Sequence, residues 1–253
     1  MKEARGHKDT MLKEAPGKFQ RKIYDGRYVS LSPMSISTQT FALLRKEFLQ
    51  EQRQKYAFFG ILLFVVSTIF IAKFSFVSLK EVPSWNALYW IILLFASATG
   101  VAKSFGAESR GRMLYFYTIA DPRAVFLSKL LYNMLLMFVL GITGLAFYGP
   151  LVGFPVENTG MFLVAVFLGC SGLASAFTMI SAIASKAGSN FTLMAILGFP
   201  VVLPLLLAAI KVSKYAADGI SWSGTLDYLG VLAAMNFVIV ALAYLLFPYL
   251  WRD

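Results

Sequence analysis

Charged residues and cysteine are both scarce in this chain of 253 residues. Only 14% of the residues are charged and 58% are hydrophobic, whereas about a quarter of a soluble globular domain is charged. The single cysteine, Cys170, excludes an intrachain disulfide and a cysteine-rich metal site. The single histidine, His7, lies outside every long apolar run. This composition excludes an ordinary soluble domain and indicates that lipid is the main solvent of the chain.

The apolar residues are gathered into runs of about twenty residues, the length that spans a bilayer as a helix. Backbone polar groups in lipid need internal partners, so only helices or a closed barrel can span, and runs without dyad alternation favour helices. The sequence therefore predicts an all-α polytopic membrane protein with six transmembrane helices. The predicted spans are Ala57 to Ser78, Trp85 to Phe105, Lys129 to Tyr148, Gly160 to Ala182, Phe191 to Lys211 and Tyr228 to Tyr249.

Asp, Glu and His are absent from all of these predicted spans. Proton- and sodium-coupled carriers normally place such groups near mid-membrane, because the groups couple the ion to the substrate. The sequence also lacks a Gly-rich phosphate loop followed by Lys and Ser or Thr, and no carboxylate pair or Ser–His pair lies within the spans. We therefore predict a permease subunit that is not an enzyme and that depends on the ATPase activity of a separate polypeptide.

Lys and Arg residues are distributed unequally between the two sides of the predicted membrane domain. Eighteen of the 23 fall on the side of both termini, and only Lys80, Lys211 and Lys214 fall on the other. Lys73 and Lys129 are assigned to helix ends, where long stems snorkel to the headgroups. The positive-inside rule then predicts cytoplasmic N- and C-termini. Topology and anionic lipid explain the net charge of +10, so no nucleic-acid partner is predicted.

Two segments of different pattern precede the first predicted span. Residues 1–34 mix charge, Gly and Pro without an apolar period, which predicts a flexible cytoplasmic extension before a six-span permease domain at 35–253. An amphipathic helix is predicted from Phe41 to Tyr56, at the inner surface of the membrane. Its regularly spaced apolar residues are Phe41, Leu44, Phe48 and Leu49. This helix either leads into the first span and anchors it or binds a partner, and the sequence leaves both roles open.

The loop between the second and third predicted spans is cytoplasmic in this topology, yet it is rich in aromatic residues. Its apolar positions recur at helical spacing from Gly106 to Ala120, which predicts a short coupling helix that contacts the ATPase subunit. Asp121 is the predicted N-cap of the next helix and Pro122 its first residue. An interfacial helix resting on lipid headgroups is the alternative. The predicted partner-binding residues are Glu108, Arg110, Arg112, Met113, Phe116, Tyr117, Asp121 and Pro122.

Small residues mark the fourth predicted span and prolines mark the fifth. Small residues allow another helix to approach closely, and a substrate path along them is the alternative interpretation. Prolines remove backbone hydrogen bonds and predict a bend, which is either static or a gate. Asn133 and Asn236 are predicted to form interhelical hydrogen bonds or, alternatively, to contact substrate. The predicted helix-packing residues are Gly169, Gly172, Ala176, Pro200 and Pro204.

Several of these stretches resemble one known family. The segment Phe41-Ala-Leu-Leu-Arg-Lys-Glu-Phe-Leu and the loop Tyr115-Phe-Tyr-Thr-Ile-Ala-Asp-Pro-Arg are similar to those of haem exporter protein B. That family provides the membrane permease of the type I cytochrome c maturation system. The small-residue fourth span and the proline-bearing fifth span add to the resemblance, which covers Phe41 to the C-terminus. The residues before Phe41 resemble an addition, and Met34 is a candidate initiator.

The resemblance implies an ABC-2-like permease of the bacterial inner membrane. It implies three protein partners, namely a cytoplasmic ABC ATPase subunit, a haem-handling membrane protein and a periplasmic haem chaperone. Haem is then the candidate substrate of the complex, with no cofactor or metal bound directly by this chain. The chain would support either haem export or ATP-driven release of the haem-loaded chaperone. An ABC-2 permease for another lipophilic or polysaccharide-linked substrate, and a membrane scaffold without a transport cycle, are the alternatives.

Iron ligation bears on the choice between haem export and chaperone release. With no histidine in the spans, Cys170 or a methionine would have to ligate haem iron. Such residues in apolar spans mostly serve packing. We therefore expect this chain to transmit energy rather than to carry haem itself.

Overall fold

Seven α-helices form the described part of the computed structural model, which covers residues 35–53, 55–76, 81–101, 104–105, 120–186 and 191–252. They are α1 (Ile36–Arg53), α2 (Lys55–Ser75), α3 (Val82–Gly100), α4 (Pro122–Val152), α5 (Thr159–Lys186), α6 (Phe191–Ala217) and α7 (Trp222–Arg252). These ranges contain no strand, and the six helices α2 to α7 are each long and apolar enough to cross a membrane. The prediction of an all-α protein with six spans is therefore confirmed.

Residues 35–253 cluster as one compact unit. The N-terminal extension lies outside the described residues, so its flexibility and its boundary with the permease domain stay predictions.

Helices α4 to α7 are longer than the apolar runs that predicted them. Helix α4 begins at Pro122 rather than at Lys129, and α6 continues to Ala217, past the predicted end at Lys211. Hydropathy marks only the part of a helix that lies in lipid, whereas hydrogen bonding continues into the polar turns at each end. Asp121 is the N-cap of α4, with Oδ1 accepting from the backbone N of Arg123 at 2.8 Å, and Pro122 follows it as predicted.

Helix α5 is the centre of the bundle. In its span 61% of the residues are buried, compared with 22% in the spans of α2 and α7. It packs against α3, α4, α6 and α7, because its many small residues let the neighbouring helices approach closely. Helices α2 and α7 consequently present most of their apolar surface to lipid.

Helix α1 differs from its prediction in bounds and in surroundings. It runs from Ile36 to Arg53 rather than from Phe41 to Tyr56. It packs along α4, where its Phe48 ring meets Tyr132 edge to face with 5.6 Å between ring centroids. Part of the apolar face predicted for the membrane surface therefore contacts protein. The large apolar residues of α1 that stay exposed are Phe41, Phe48 and Leu49.

The prolines of the fifth span do not interrupt it. Helix α6 is continuous from Phe191 to Ala217, through both Pro200 and Pro204. A proline inside a helix removes one backbone hydrogen bond without ending the helix when neighbouring helices support it. A gating movement at these prolines stays a prediction.

The two ends of the bundle have different components. We call the end that carries α1, residues 104–105 and the start of α4 the proximal end. The other end, which carries residues 153–158, is the distal end. Gly219, with φ of 71°, follows α6 at the distal end and adopts the left-handed conformation in which a helix commonly terminates.

Candidate functional site

The flanks of the predicted coupling helix lie together at the proximal end. Residues 106–119 are outside the described residues, so the helix itself stays a prediction, together with the partner-binding roles of Glu108, Arg110, Arg112, Met113, Phe116 and Tyr117. Its flanks are described and are Ser104–Phe105, which follows α3, and Ala120–Asp121, which precedes α4. We call the residues that hold both flanks the loop anchor; they are Gln39, Glu47, Ser104, Phe105, Asp121 and Lys129.

Lys129 joins three elements at the centre of the loop anchor. Its Nζ lies 3.2 Å from Oε1 of Glu47 in α1 and donates to the carbonyl oxygen of Ser104 at 3.0 Å. The same ammonium lies 5.2 Å from the centroid of the Phe105 ring, within cation–π range. These contacts connect α1 and α4 with the segment that follows α3.

Lys129 is buried, and its ion-pair partner Glu47 is largely covered. The side chains of Lys129 and Glu47 are only 3% and 11% exposed. The prediction that Lys129 lies at a helix end and snorkels to the headgroups is therefore wrong. Helix α4 begins at Pro122, about two turns before this lysine, and α1 packs along α4 on that side.

Gln39 holds the second flank of the loop. Its Oε1 accepts a hydrogen bond from the backbone N of Asp121 at 2.9 Å. Asp121 in turn caps α4, so the last residue before the third span is bonded on both sides. Helix α1 therefore contacts both flanks, through Glu47 and Lys129 on one side and through Gln39 on the other.

An aromatic cluster connects the loop anchor to the helices behind it. The backbone N of Phe105 donates to Oγ of Ser181 in α5 at 3.1 Å. The rings of Phe105 and Phe126 lie 5.4 and 5.3 Å from the ring of Phe247 in α7. A displacement of the loop flanks would therefore strain contacts with α1, α4, α5 and α7 together.

The small residues predicted for helix packing face neighbouring helices. Gly169 lies so close to the ring of Trp90 in α3 that an added Cβ would overlap it. A Cβ at Gly172 would lie 2.5 Å from Leu205 Cδ1 in α6 and 3.0 Å from Asn236 Oδ1 in α7. Ala176 is fully buried. At these three positions α5 packs closely against its neighbours, which supports the helix-packing interpretation.

Asn133 and Asn236 both form hydrogen bonds between helices. Asn133 Nδ2 donates to Oγ1 of Thr178, which links α4 to α5 at 2.9 Å. Asn236 Nδ2 donates to the carbonyl oxygen of Leu168, which links α7 to α5 at 3.1 Å. Of the two interpretations, these bonds support helix contact.

The sequence did not predict the buried polar network that lies between α3 and α6. Trp90 Nε1 donates to Ser213 Oγ, and Ser213 Oγ donates to Asn86 Oδ1, both at 2.8 Å. Asn86 Nδ2 donates to the carbonyl oxygen of Ile210 at 2.8 Å. Ser213 is far from Asn86 and Trp90 in sequence, and it lies between two lysines at the polar end of the fifth predicted span. The only signal was that Asn is costly in lipid unless it is bonded.

The fold defines a multi-pass α-helical membrane protein, with six candidate spans and an additional N-terminal helix in the described part of the chain. Residues 38–248 match the family model described as CcmB protein. The chain therefore belongs to the CcmB family, which is the haem exporter B family. No curated protein and no solved structure matches the chain. Family membership supports a haem-exporter ABC permease role in cytochrome c maturation and confirms the predicted family.

Proposed function

We propose that this chain is the permease subunit through which a separate cytoplasmic ATPase drives haem handling in cytochrome c maturation. The observation that carries the proposal is the family match over residues 38–248. The proximal end then faces the cytoplasm of a bacterial inner membrane, together with both termini. The excess of Lys and Arg on that side, eighteen against three, supports this orientation.

The loop at 106–119 is the proposed contact with the ATPase subunit. In this proposal Met113, Phe116 and Tyr117 are covered by the partner, and each contributes on the order of 1 to 3 kcal/mol if fully buried. The loop anchor supports the proposal, because the flanks are held by buried and half-buried contacts rather than by solvent-exposed ones. A movement imposed on the loop would therefore reach α1 and α4 directly and α5 and α7 through Phe105.

Release of the haem-loaded periplasmic chaperone is the proposed output, rather than passage of haem through this chain. The only histidine is His7, which precedes all spans. Cys170 is buried against Gly141 in the core between α4 and α5, so ligation of iron by its thiolate would require the core to open. In this proposal haem stays with a haem-handling membrane protein and the chaperone, and this chain transmits the energy of ATP hydrolysis.

The variant Phe116→Asp tests the loop contact. A charge in an apolar contact has to be desolvated, so we expect the ATPase subunit to stop co-purifying while the permease still inserts into the membrane. Phe76→Asp is the matched control, because it places the same charge on an exposed phenylalanine at the distal end. Cells with Phe116→Asp should lose c-type cytochromes and accumulate the haem-loaded chaperone, whereas cells with the control should not.

Four results would contradict the proposal at different levels. If Phe116→Asp binds the ATPase subunit as the wild type does, the proposed loop contact is wrong, but the proposed function still stands. Loss of haem loading, rather than accumulation of the loaded chaperone, would favour haem export. Normal c-type cytochromes in a clean deletion strain would refute the function and favour a permease for another lipophilic or polysaccharide-linked substrate. Failure of any ATPase subunit to co-purify with the wild-type chain would favour a scaffold.

A further inference from the structure

An apolar groove of about 350 Å³ lies between α1, α2 and α4. We call it the α1–α4 groove. Its walls include the aromatic rings of Phe48, Phe59 and Tyr132 and the aliphatic side chain of Val139. Its volume falls within the range of about 300 to 1,000 Å³ that is typical of ligand sites. The family match and the proposed coupling to an ATPase assign no ligand to it.

The α1–α4 groove opens towards lipid rather than towards the bundle core. Phe59 lies in the span of α2 and Val139 in that of α4, and both side chains are exposed on the outer surface of the bundle. From Tyr132 to Val139 the groove follows α4 for about 10 Å, at 1.5 Å per residue. That length is about a third of the roughly 30 Å hydrocarbon core of a bilayer. The groove is therefore in contact with the hydrocarbon chains of the bilayer.

The polar lining of the groove comes from the C-terminal part of α1. Glu51 is the acidic lining residue, and the Tyr132 hydroxyl lies close enough to interact with its carboxylate. A carboxylate beside an apolar groove attracts an ammonium group and repels phosphate or carboxylate groups. Among common bilayer lipids, phosphatidylethanolamine presents a primary ammonium, whereas phosphatidylglycerol presents only negative charge.

We propose that the α1–α4 groove binds one phosphatidylethanolamine molecule from the leaflet at the proximal end. One acyl chain lies along α4 beside Tyr132 and Val139, and the headgroup ammonium lies near Glu51. The bound lipid fills the space between α1 and the spans, and so completes the packing of α1 against the bundle. Haem fits this site less well, because Glu51 would repel its two carboxylates.

Photo-crosslinking tests the proposal on the full chain in nanodiscs of phosphatidylcholine. The probe is phosphatidylethanolamine with a diazirine on one acyl chain, and the labelled peptides are mapped by mass spectrometry. Unlabelled phosphatidylethanolamine and phosphatidylglycerol serve as competitors. Val139→Trp fills the groove, and Val164→Trp is the matched control. These two valines are 39% and 38% exposed, and Val164 lies on α5, outside the groove.

We expect labelling concentrated at residues 132–139, lost in Val139→Trp and unchanged in Val164→Trp. Unlabelled phosphatidylethanolamine should compete about two- to five-fold better than phosphatidylglycerol, the factor that a partly exposed ion pair provides. Glu51→Gln should abolish that preference while leaving the labelling in place. Labelling spread evenly over the lipid-facing helices would overturn the proposal, as would labelling at residues 132–139 that survives Val139→Trp. A crosslink between two copies of the chain at this groove would also overturn it, because a second copy would then be the occupant.

Discussion

The Glu47–Lys129 ion pair provides the sharpest test of the loop anchor. Glu47→Gln leaves Lys129 charged in a position that is only 3% exposed. Removing one partner of a buried ion pair typically costs about 3 to 5 kcal/mol. Lys129 keeps the Ser104 carbonyl at 3.0 Å and the Phe105 ring at 5.2 Å, so we expect the lower end of that range. For a chain of this size about 3 kcal/mol corresponds to a fall in Tm of about 6 to 12 °C.

Lys46→Met is the matched control for this prediction. Lys46 Nζ lies 3.0 Å from the same oxygen of Glu47, closer than Lys129 at 3.2 Å. Its side chain is 30% exposed, however, and exposed ion pairs contribute only about 0.2 to 1 kcal/mol. We therefore expect the shorter contact to matter less, with a fall in Tm below about 4 °C.

The double variant Glu47→Gln with Lys129→Met completes the test. It removes both charges of the pair, so the desolvation penalty of the Lys129 ammonium disappears and most of the lost stability should return. The assay is thermal unfolding of the purified protein in detergent, followed by the loss of the monodisperse peak on size exclusion. Equal effects of Lys46→Met and Glu47→Gln would refute the burial argument. If the double variant is as unstable as Glu47→Gln alone, the loss of stability does not come from the Glu47–Lys129 ion pair.

Three further predictions test topology, extension and packing. Single cysteines at Arg112 and Glu157, in a Cys170→Ala background, should react with an impermeant thiol reagent from opposite sides of the membrane. Labelling of position 157 only from the cytoplasm would contradict the predicted topology. Deletion of residues 1–33 should leave complex assembly and cytochrome c maturation intact, and loss of assembly with normal insertion would show that the extension binds a partner. Gly169→Leu should lower stability by about 1 to 3 kcal/mol because it overlaps Trp90, whereas Gly230→Leu, where an added Cβ meets nothing within 4 Å, should change it little in the same unfolding assay.

The sequence by itself determined the number of spans, the α-helical class, the cap at Asp121 and the family. These properties depend on residues that are close together along the chain: an apolar run long enough for the bilayer, or Asp followed by Pro at a helix start. The family resemblance likewise follows the order of residues. The bounds of the helices were less well predicted, because the turns at several helix ends carry polar residues that hydropathy does not count as part of a span. The opposite error occurs at α3, which ends at Gly100 rather than at the predicted Phe105.

The tertiary structure alone decided which polar residues meet. Glu47 and Lys129 are 82 residues apart in sequence, and Asn86 and Ser213 are 127 apart. No local pattern pairs residues over such distances, and a lone lysine near the end of an apolar run is read most simply as one that snorkels. Packing of α1 against α4 changed that interpretation, because it covered Lys129 and placed a carboxylate beside it. The same packing leaves the space between α1, α2 and α4 that forms the α1–α4 groove.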